Sequence, residues 1–406
     1  MATISRPFKY AILDALLLAA SWAIIYFQRF HSLPGLTRGP LVLISIWIFT
    51  QYLMGTYSAM TARRLDVSRQ LLNSLLAAAA VFVFAASLTL ARGETSLSTM
   101  GRGFLVPLLL LSLSVHNLFV WTSRNSHLWM PQQSWLLFVS ASERAVLSQS
   151  IEVGGCAIPC GIEWRSASGL ASLPAQLPAL LGLDGVVVGS ENHISTEDRS
   201  TLLSWQDEGL RLLSVSGWAE TFLHRLPPAL LPHTWAERVE LFRHTAGGPG
   251  PRLKRLGDLV VSGLLICLFI PLVVFLRQPL HKDQCIGRHG RLFLRLRFDG
   301  SGRFSSLPQL INVWRGEMSL VGPRPLTPAA MHDLELRFPG ADLRQWTRPG
   351  MTGWGRIAGP PPEETDSLAW ELGRDLYYLR NHSLLLDLRL LLTSFLQLLL
   401  VRTSRP

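Results

Sequence analysis

Four apolar runs fill the first third of the chain, at roughly 10–27, 41–55, 70–90 and 103–121. Runs of about 15 to 21 residues are sized for helices crossing a bilayer with ~30 Å of hydrocarbon. In such a medium only structures that satisfy their own backbone polar groups are viable, so helices are expected. Composition agrees: 48% of the 406 residues are apolar and only 16% charged. No small-residue cleavage site follows the first run, which reads as a retained anchor. Arg6, Lys9, Arg63, Arg64, Arg69 and Arg124 fall on one side of a four-span arrangement, and Arg29, Arg38, Arg92 and Arg102 on the other. That bias points both ends of the segment at the cytoplasm. Asp14, inside the first run, is expected to face other helices rather than lipid.

From about 134 to 232 the pattern changes to that of a soluble α/β module. Trp135–Ala141, Gly185–Gly189 and Leu210–Val215 read as strands, with a helix over Ser195–Gln206. The alternation predicts a small parallel sheet, Rossmann-like in outline. The first strand runs into SASERA, without the glycines that cradle a pyrophosphate, so a spacer or docking role is expected over dinucleotide binding. Residues Gly247–Pro251 (GGPGP) mark a linker. The expected fold class is therefore a membrane protein of mixed α and α/β architecture. Its parts are a four-helix transmembrane region over 1–125, the α/β module over 134–246 and a mostly helical domain over 252–406.

The last domain opens on an apolar stretch at about 256–276 containing Pro271. A proline removes a backbone donor and bends a helix, so a re-entrant helix that returns to the same membrane face is preferred to a fifth, kinked span. Leu384–Val401 carries Asp387 and Arg389 and reads as an interfacial or core helix. Residues 251–406 hold 21 lysines and arginines against 13 acids, most of the net +10 of the whole chain. Positive charge beside apolar runs, with no nucleic-acid motif, favours a membrane surface or phosphate-bearing ligands over nucleic acid. Cys156, Cys160, Cys267 and Cys285 are scattered, which implies neither a disulfide framework nor a metal site.

Within this domain stand LPQLINV (307–313) continuing into WRGEMSLVGPRP (314–325), RPGMTGW (348–354) and DLYYLRN (375–381), with Ser383 and Asp387-Leu388. Over about 150 residues from Lys254 the chain resembles the bacterial sugar transferases that move a sugar-1-phosphate from a nucleoside diphosphate sugar to polyprenyl phosphate. The upstream layout resembles the long members of that family. The resemblance implies a monotopic transferase domain in the bacterial inner membrane, multi-pass with cytoplasmic soluble parts, acting in exopolysaccharide or lipid-linked glycan biosynthesis. Pro323, Arg324, Gly350, Thr352 and Glu317 become candidate binding residues. Gly322-Pro323-Arg324-Pro325 is a stiff turn presenting one guanidinium, suited to a bidentate phosphate grip. Gly350 and Gly353 would let backbone amides approach a ligand, and Asp375 beside Tyr377 and Tyr378 is an acid in an aromatic setting. The alternatives are an Arg324–Glu317 ion pair and tyrosines that only fill core.

The chain departs from the family pattern where the chemistry is expected. The family places Asp-Glu immediately before LPQL, the aspartate as nucleophile and Mg²⁺ ligand; here the two places are Ser305 and Ser306. A Lys-Phe-Arg block has become Arg297-Phe298-Asp299, and roughly twenty residues between Phe298 and Ser305 are missing. Phosphoryl transfer depends on metal and positioned cations, so the expected function is a non-catalytic relative that partners an active transferase or regulates the pathway. The alternative is an active transferase using UDP-sugar, Mg²⁺ and a rebuilt site involving Ser305, Asp375 and Arg297. A transporter or receptor built on the helices is a third possibility. Homo-oligomer formation through those helices is compatible with either enzyme-related reading.

Overall fold

The computed structural model describes residues 6–32, 38–57, 67–91, 104–125, 133–153, 160–166, 182–189, 196–231, 250–276, 279–299, 304–338, 340–357 and 366–400. The chain divides into two compact units, Met1–Gln132 and Gln133–Pro406. Cys156 and most of the expected linker lie outside the described residues, whereas Cys267 and Cys285 are free thiols.

In the first unit, helices α1 (Arg6–Phe30), α2 (Arg38–Leu53), α3 (Val67–Ala91) and α4 (Val106–Asn125) pack with α1 on α4 and α2 on α3. Phe8–Phe30, Gln70–Ser87 and Val106–Ser123 are long and apolar enough to cross a membrane, while Gly39–Leu53 is apolar but shorter. At a rise of 1.5 Å per residue, the 16 residues of α2 reach only ~24 Å, against ~30 Å of hydrocarbon. Three of the four expected segments therefore have spanning length. Leu16, Phe27, Val83 and Leu110 point outward.

The interior of this unit is not wholly apolar. Asp14 is fully buried, with His116 Nδ1 2.9 Å from both carboxylate oxygens and the Tyr57 hydroxyl donating to Oδ2 at 2.5 Å. A second polar bridge joins α3 to α4: Gln70 Nε2 donates to Asn117 Oδ1 (3.2 Å) and Asn117 Nδ2 to Ser74 Oγ (2.9 Å). Such contacts hold apolar helices together and fix their register where lipid offers no hydrophobic gradient.

The second unit begins with strands β1 (Gln133–Val139), β2 (Cys160–Ser166), β3 (Gly185–Val188) and β4 (Arg211–Ser214), forming a parallel sheet in the order β2-β1-β3-β4. Alternation along β1 sends Trp135, Leu137 and Val139 to one face, against Leu147 of α5 (Ala141–Val153) and Trp218 of α7 (Val215–Leu223). Leu136 and Phe138 meet Leu202 and Trp205 of α6 (Thr196–Asp207) on the other. Burial on both faces explains why β1 reads as an unbroken apolar run. At the turn after β1, the Glu143 carboxylate accepts from Ser140 N at 3.0 Å, and a Cβ at Gly189 would lie 2.3 Å from it. A buried carboxylate thus occupies the helix N-terminus where a pyrophosphate would be bound in a dinucleotide site.

This module is packed onto the C-terminal part of its own unit. Leu226 N donates to Gly373 O (2.9 Å), and a Cβ at Gly373 would sit 2.7 Å from Leu226 O. Trp354 Nε1 donates to His224 O (3.0 Å), the Arg225 guanidinium lies 3.7 Å over the Trp370 ring, and Asn381 donates to Glu220. Burial, reinforced by the Arg389 charge, pushes His224 down to about 4.

The C-terminal part comprises α8 (Gly250–Leu276), the antiparallel hairpin β5 (Leu280–Ile286)–β6 (Leu292–Phe298), α9 (Gln309–Arg315), β7 (Ser319–Val321), α10 (Pro328–Arg337), a 3-10 turn Ala341–Trp346, β8 (Gly350–Thr352) parallel to β7, α11 (Trp354–Ile357), α12 (Ser367–Asn381) and α13 (Leu384–Leu400). Helix α8 continues through Pro271 as one element, where the sequence predicts a break; one missing donor is tolerated within 27 residues. Leu256, Val260, Leu264 and Leu268 of α8 are exposed, as are Leu384, Leu385, Leu388 and Phe395 of α13. Large exposed apolar faces on two helices belong at a membrane.

Two expectations follow. His116→Leu strands the Asp14 carboxylate beside Tyr57 and should cost about 3 kcal/mol, as removing one partner of a buried pair does, read as a lower thermal midpoint in detergent. His224 is neutral when folded and ordinary when unfolded, so its contribution is full above its unfolded value of 6.5 and is lost as pH falls toward its folded value of about 4. His224→Asn, which suits the left-handed backbone there (φ 50°), should lose less thermal stability than the parent over that window.

Candidate functional site

Strands β7 and β8 cross so closely that a Cβ at Gly350 would lie 2.1 Å from Gly322 N, and one at Gly353 2.2 Å from Gly322 O. Chain-on-chain contact by itself requires these glycines, and Gly350 and Gly353 also line a cleft. On one side of this crossing opens a cleft of about 480 Å³. Its wall gathers Ser305, Ser306, Arg297, Arg324, Gly350, Thr352 and Asp375, seven of the candidate residues scattered over 297–375 in the sequence. Glu317 and Pro323 are not in this wall. Glu317 accepts from Asn312 Nδ2 (2.6 Å), while Asn312 also bonds Leu294 O and Leu296 N, so these two residues tie α9 to β6. Pro323 borders a separate small cavity.

Five guanidiniums face the cleft, from Arg295, Arg297, Arg324, Arg356 and Arg374, against two carboxylates, Glu371 and Asp375. Both acids are engaged. Glu371 accepts from Arg324 at 2.8 Å, which replaces the Arg324–Glu317 pair anticipated from the sequence. Asp375 accepts from Arg344 at 2.6 Å, and Arg344 also donates to Arg324 O. Burial pushes Asp375 up to about 6 despite the opposing Arg344 charge, with Glu371 adding to the rise. Burial and the neighbouring Arg324 charge hold Arg356 below the usual guanidinium range. Arg295 and Arg297 flank Asp283 of β5, 2.6 and 3.1 Å away. Burial works to raise Asp283, but the hydrogen bond and charge of Arg295, with Arg297 and His281, outweigh it and keep the group low.

Ser305 and Ser306 sit at the N-terminal approach to α9. Phe298 N donates to Ser305 O (2.9 Å) and Gln309 N to Ser306 O (3.0 Å), pinning the pair against the end of β6. Their hydroxyls border the cleft as neutral donors and acceptors. The aromatic surroundings expected for Asp375 belong elsewhere: Tyr378 donates to Asp387 (2.6 Å), and Tyr377 stacks on Trp354 with centroids 5.3 Å apart. Both tyrosines rise through burial first and nearby carboxylates second, Tyr377 to about 12.

The sequence reading missed Arg295, Arg344, Arg356, Glu371 and Arg374 as neighbours of the cleft. A signal existed for two of them: on α12 Glu371 lies four residues before Asp375 and three before Arg374, spacings that share a helix face. Because Asp375 binds protons more readily folded than unfolded, stability should rise as pH falls from about 6 toward its ordinary unfolded value of 3.8. Asp375→Asn should flatten that window, measured as thermal midpoint against pH.

Residues 277–400 match the family described as bacterial sugar transferase. A UDP-glucose:undecaprenyl-phosphate glucose-1-phosphate transferase of Caulobacter vibrioides is 30% identical over 234 residues, covering 46% of this chain and 88% of the relative. An uncharacterized sugar transferase of Bacillus subtilis is 37% identical over 176 residues, 34% of this chain and 83% of its own length. A UDP-N-acetylgalactosamine-undecaprenyl-phosphate N-acetylgalactosaminephosphotransferase of Aeromonas hydrophila is 32% identical over 120 residues, 28% of this chain. The matched segment spans only 27% of that protein and 21% of an undecaprenyl-phosphate glucose phosphotransferase of Komagataeibacter xylinus. The similarity to relatives matched over most of their length makes this chain a member of the bacterial sugar transferase family.

Proposed function

We propose that this membrane-associated protein binds the phosphates of a nucleoside diphosphate sugar or of polyprenyl phosphate but does not transfer the sugar phosphate by a covalent aspartyl route. It acts as a non-catalytic partner in exopolysaccharide or lipid-linked glycan synthesis at the bacterial inner membrane. The observation that carries this reading is the composition of the cleft. Two neutral hydroxyls, Ser305 and Ser306, stand among five arginines where the family pattern has an acidic pair. Guanidinium forks match phosphate oxygens well. A hard cation needs oxygen donors of negative charge, and the two carboxylates at hand are each committed to an arginine. Among the described residues no group of three His, Cys, Asp or Glu side chains converges on one point. The donor set fits a phosphate better than Mg²⁺, and no step is assigned to the metal.

The wider architecture belongs to the same proposal: a four-helix membrane bundle over 1–125, a Rossmann-like module over 134–246, and a transferase domain over 252–406 whose unbroken α8 lies at the membrane. Self-association through the helices is the simplest assembly. A second reading, an active transferase with a rebuilt site, is favoured by one observation: Asp375 is held near 6 beside an intact Arg324, a value suited to proton transfer.

The test is release of labelled sugar-1-phosphate into polyprenyl-linked product, with the full chain in nanodiscs, Mg²⁺, undecaprenyl phosphate and a panel of UDP-sugars. No turnover is expected while an active family member turns over alongside. Turnover abolished by Ser305→Ala would overturn the proposal. Ser305→Asp with Ser306→Glu should not restore full activity, because the shortened link after Phe298 would remain.

A further inference from the structure

Next to the paired β7 and β8 lies a second cavity, of about 200 Å³, that shares no lining residue with the first. Arg255, Arg288 and Arg348 converge on it. Each is aimed by backbone acceptors: Arg255 donates to Val313 O (2.7 Å) and Trp314 O (2.9 Å), Arg288 to Trp346 O (3.1 Å) and Arg348 to Gly316 O (3.0 Å). A guanidinium has five N–H donors, so each keeps donors beyond those bonds. Among the described residues none of the three is paired with a carboxylate. The acids that face the cavity are already satisfied. Asp258 accepts from Ser319 Oγ (2.8 Å) and Leu320 N (3.1 Å), and Asp387 from Lys254 (2.5 Å) and Tyr378 (2.6 Å). His382 Nδ1 lies 3.0 Å from Leu379 O. Burial, with the like charges of Arg255 and Arg288, depresses Arg348 below the usual guanidinium range, against a smaller opposite pull from Asp258. Three like charges held together by neutral carbonyls carry a repulsion that an anion would relieve.

The position of the cavity says which anion. Gly250, Pro251 and Lys254 at the start of α8 and Ser383, Leu384 and Asp387 at the start of α13 form its rim. These helices have 27 and 17 residues, so two positive helix ends meet at the cavity. Leading away from it, Leu253 and Leu256 on α8 and Leu385 and Leu388 on α13 are exposed. A cationic cavity continuous with apolar helix faces matches a phosphate carried on acyl chains better than a free one. We propose that this cavity is a second phosphate site, separate from the larger cleft, that takes the headgroup phosphate of an anionic membrane phospholipid and seats the domain on the bilayer surface.

Native mass spectrometry of the full chain in detergent, titrated with dioctanoyl phosphatidylglycerol or dioctanoyl phosphatidylcholine, tests this. One phosphatidylglycerol should bind in preference to phosphatidylcholine. Its affinity should fall on the order of tenfold in Arg288→Gln/Arg348→Gln, since charge-assisted hydrogen bonds are lost. Arg288→Gln alone, at an exposed residue, should show a smaller loss and guards against misfolding of the double variant. Arg324→Gln, in the other cleft, should leave the binding unchanged. Equal affinity in parent and both arginine variants would overturn the site. Displacement of the lipid by millimolar inorganic phosphate, equally strong and equally arginine-dependent, would overturn its assignment to a lipid.

Discussion

The C-terminal domain depends on one close approach of backbone to backbone. Where Gly322 meets Gly350 and Gly353, no side chain fits between β7 and β8, because a Cβ would fall 2.1 to 2.4 Å from main-chain atoms. Hydrogen bonds from Gly322 N to Thr352 O and from Gly350 N to Pro323 O close the crossing. Arg324 and Arg348 leave it in opposite directions, one into each cavity. The network of Lys254, Tyr378 and Asp387 braces the same strand pair, since Lys254 Nζ also donates to Val321 O at 3.0 Å. An alanine at Gly350 would push two strands apart and move both guanidiniums with them.

Charge around that frame is arranged for anions. In the larger cleft the carboxylates serve as counter-ions: Glu371 holds Arg324 and Asp375 holds Arg344. Outside it, Asp283 steadies Arg295 and Arg297. A buried charge without a partner is expensive, so these acids make an arginine-rich pocket tolerable without cancelling it. The serine pair adds hydroxyls but no charge. The result is a cleft with five guanidiniums, two engaged carboxylates and two neutral hydroxyls, the composition on which the proposed phosphate binding rests.

Much of this was legible in the sequence, and the reasons for the remainder are physical. The membrane helices declare themselves by length and apolarity, although only distance arithmetic separates α2 from the three of spanning length. Strand β1 was legible because burial on both faces leaves an unbroken apolar run, whereas β2, CGIEWRS, mixes polar and apolar residues and carries no such signal. The GEMSLVGPRP and RPGMTGW blocks marked the site, but not the reason for their glycines, which lies in a contact between segments about thirty residues apart. Glu317, a candidate by its motif, accepts from Asn312, a contact that no spacing in the sequence announces. Arg344 lies in a 3-10 turn with no recognisable motif, so its partnership with Asp375 required three dimensions. His116 carried no signal, because its partner Asp14 is 102 residues away.

The central claim is that the cleft holds phosphate through arginines and without a cation. Isothermal titration of UDP-glucose into the full chain in nanodiscs, with Mg²⁺ and then with EDTA, measures this most directly. The account predicts binding of similar affinity in both conditions, weakened by Arg324→Gln. Binding that appears only with Mg²⁺, or that is indifferent to Arg324, would contradict it.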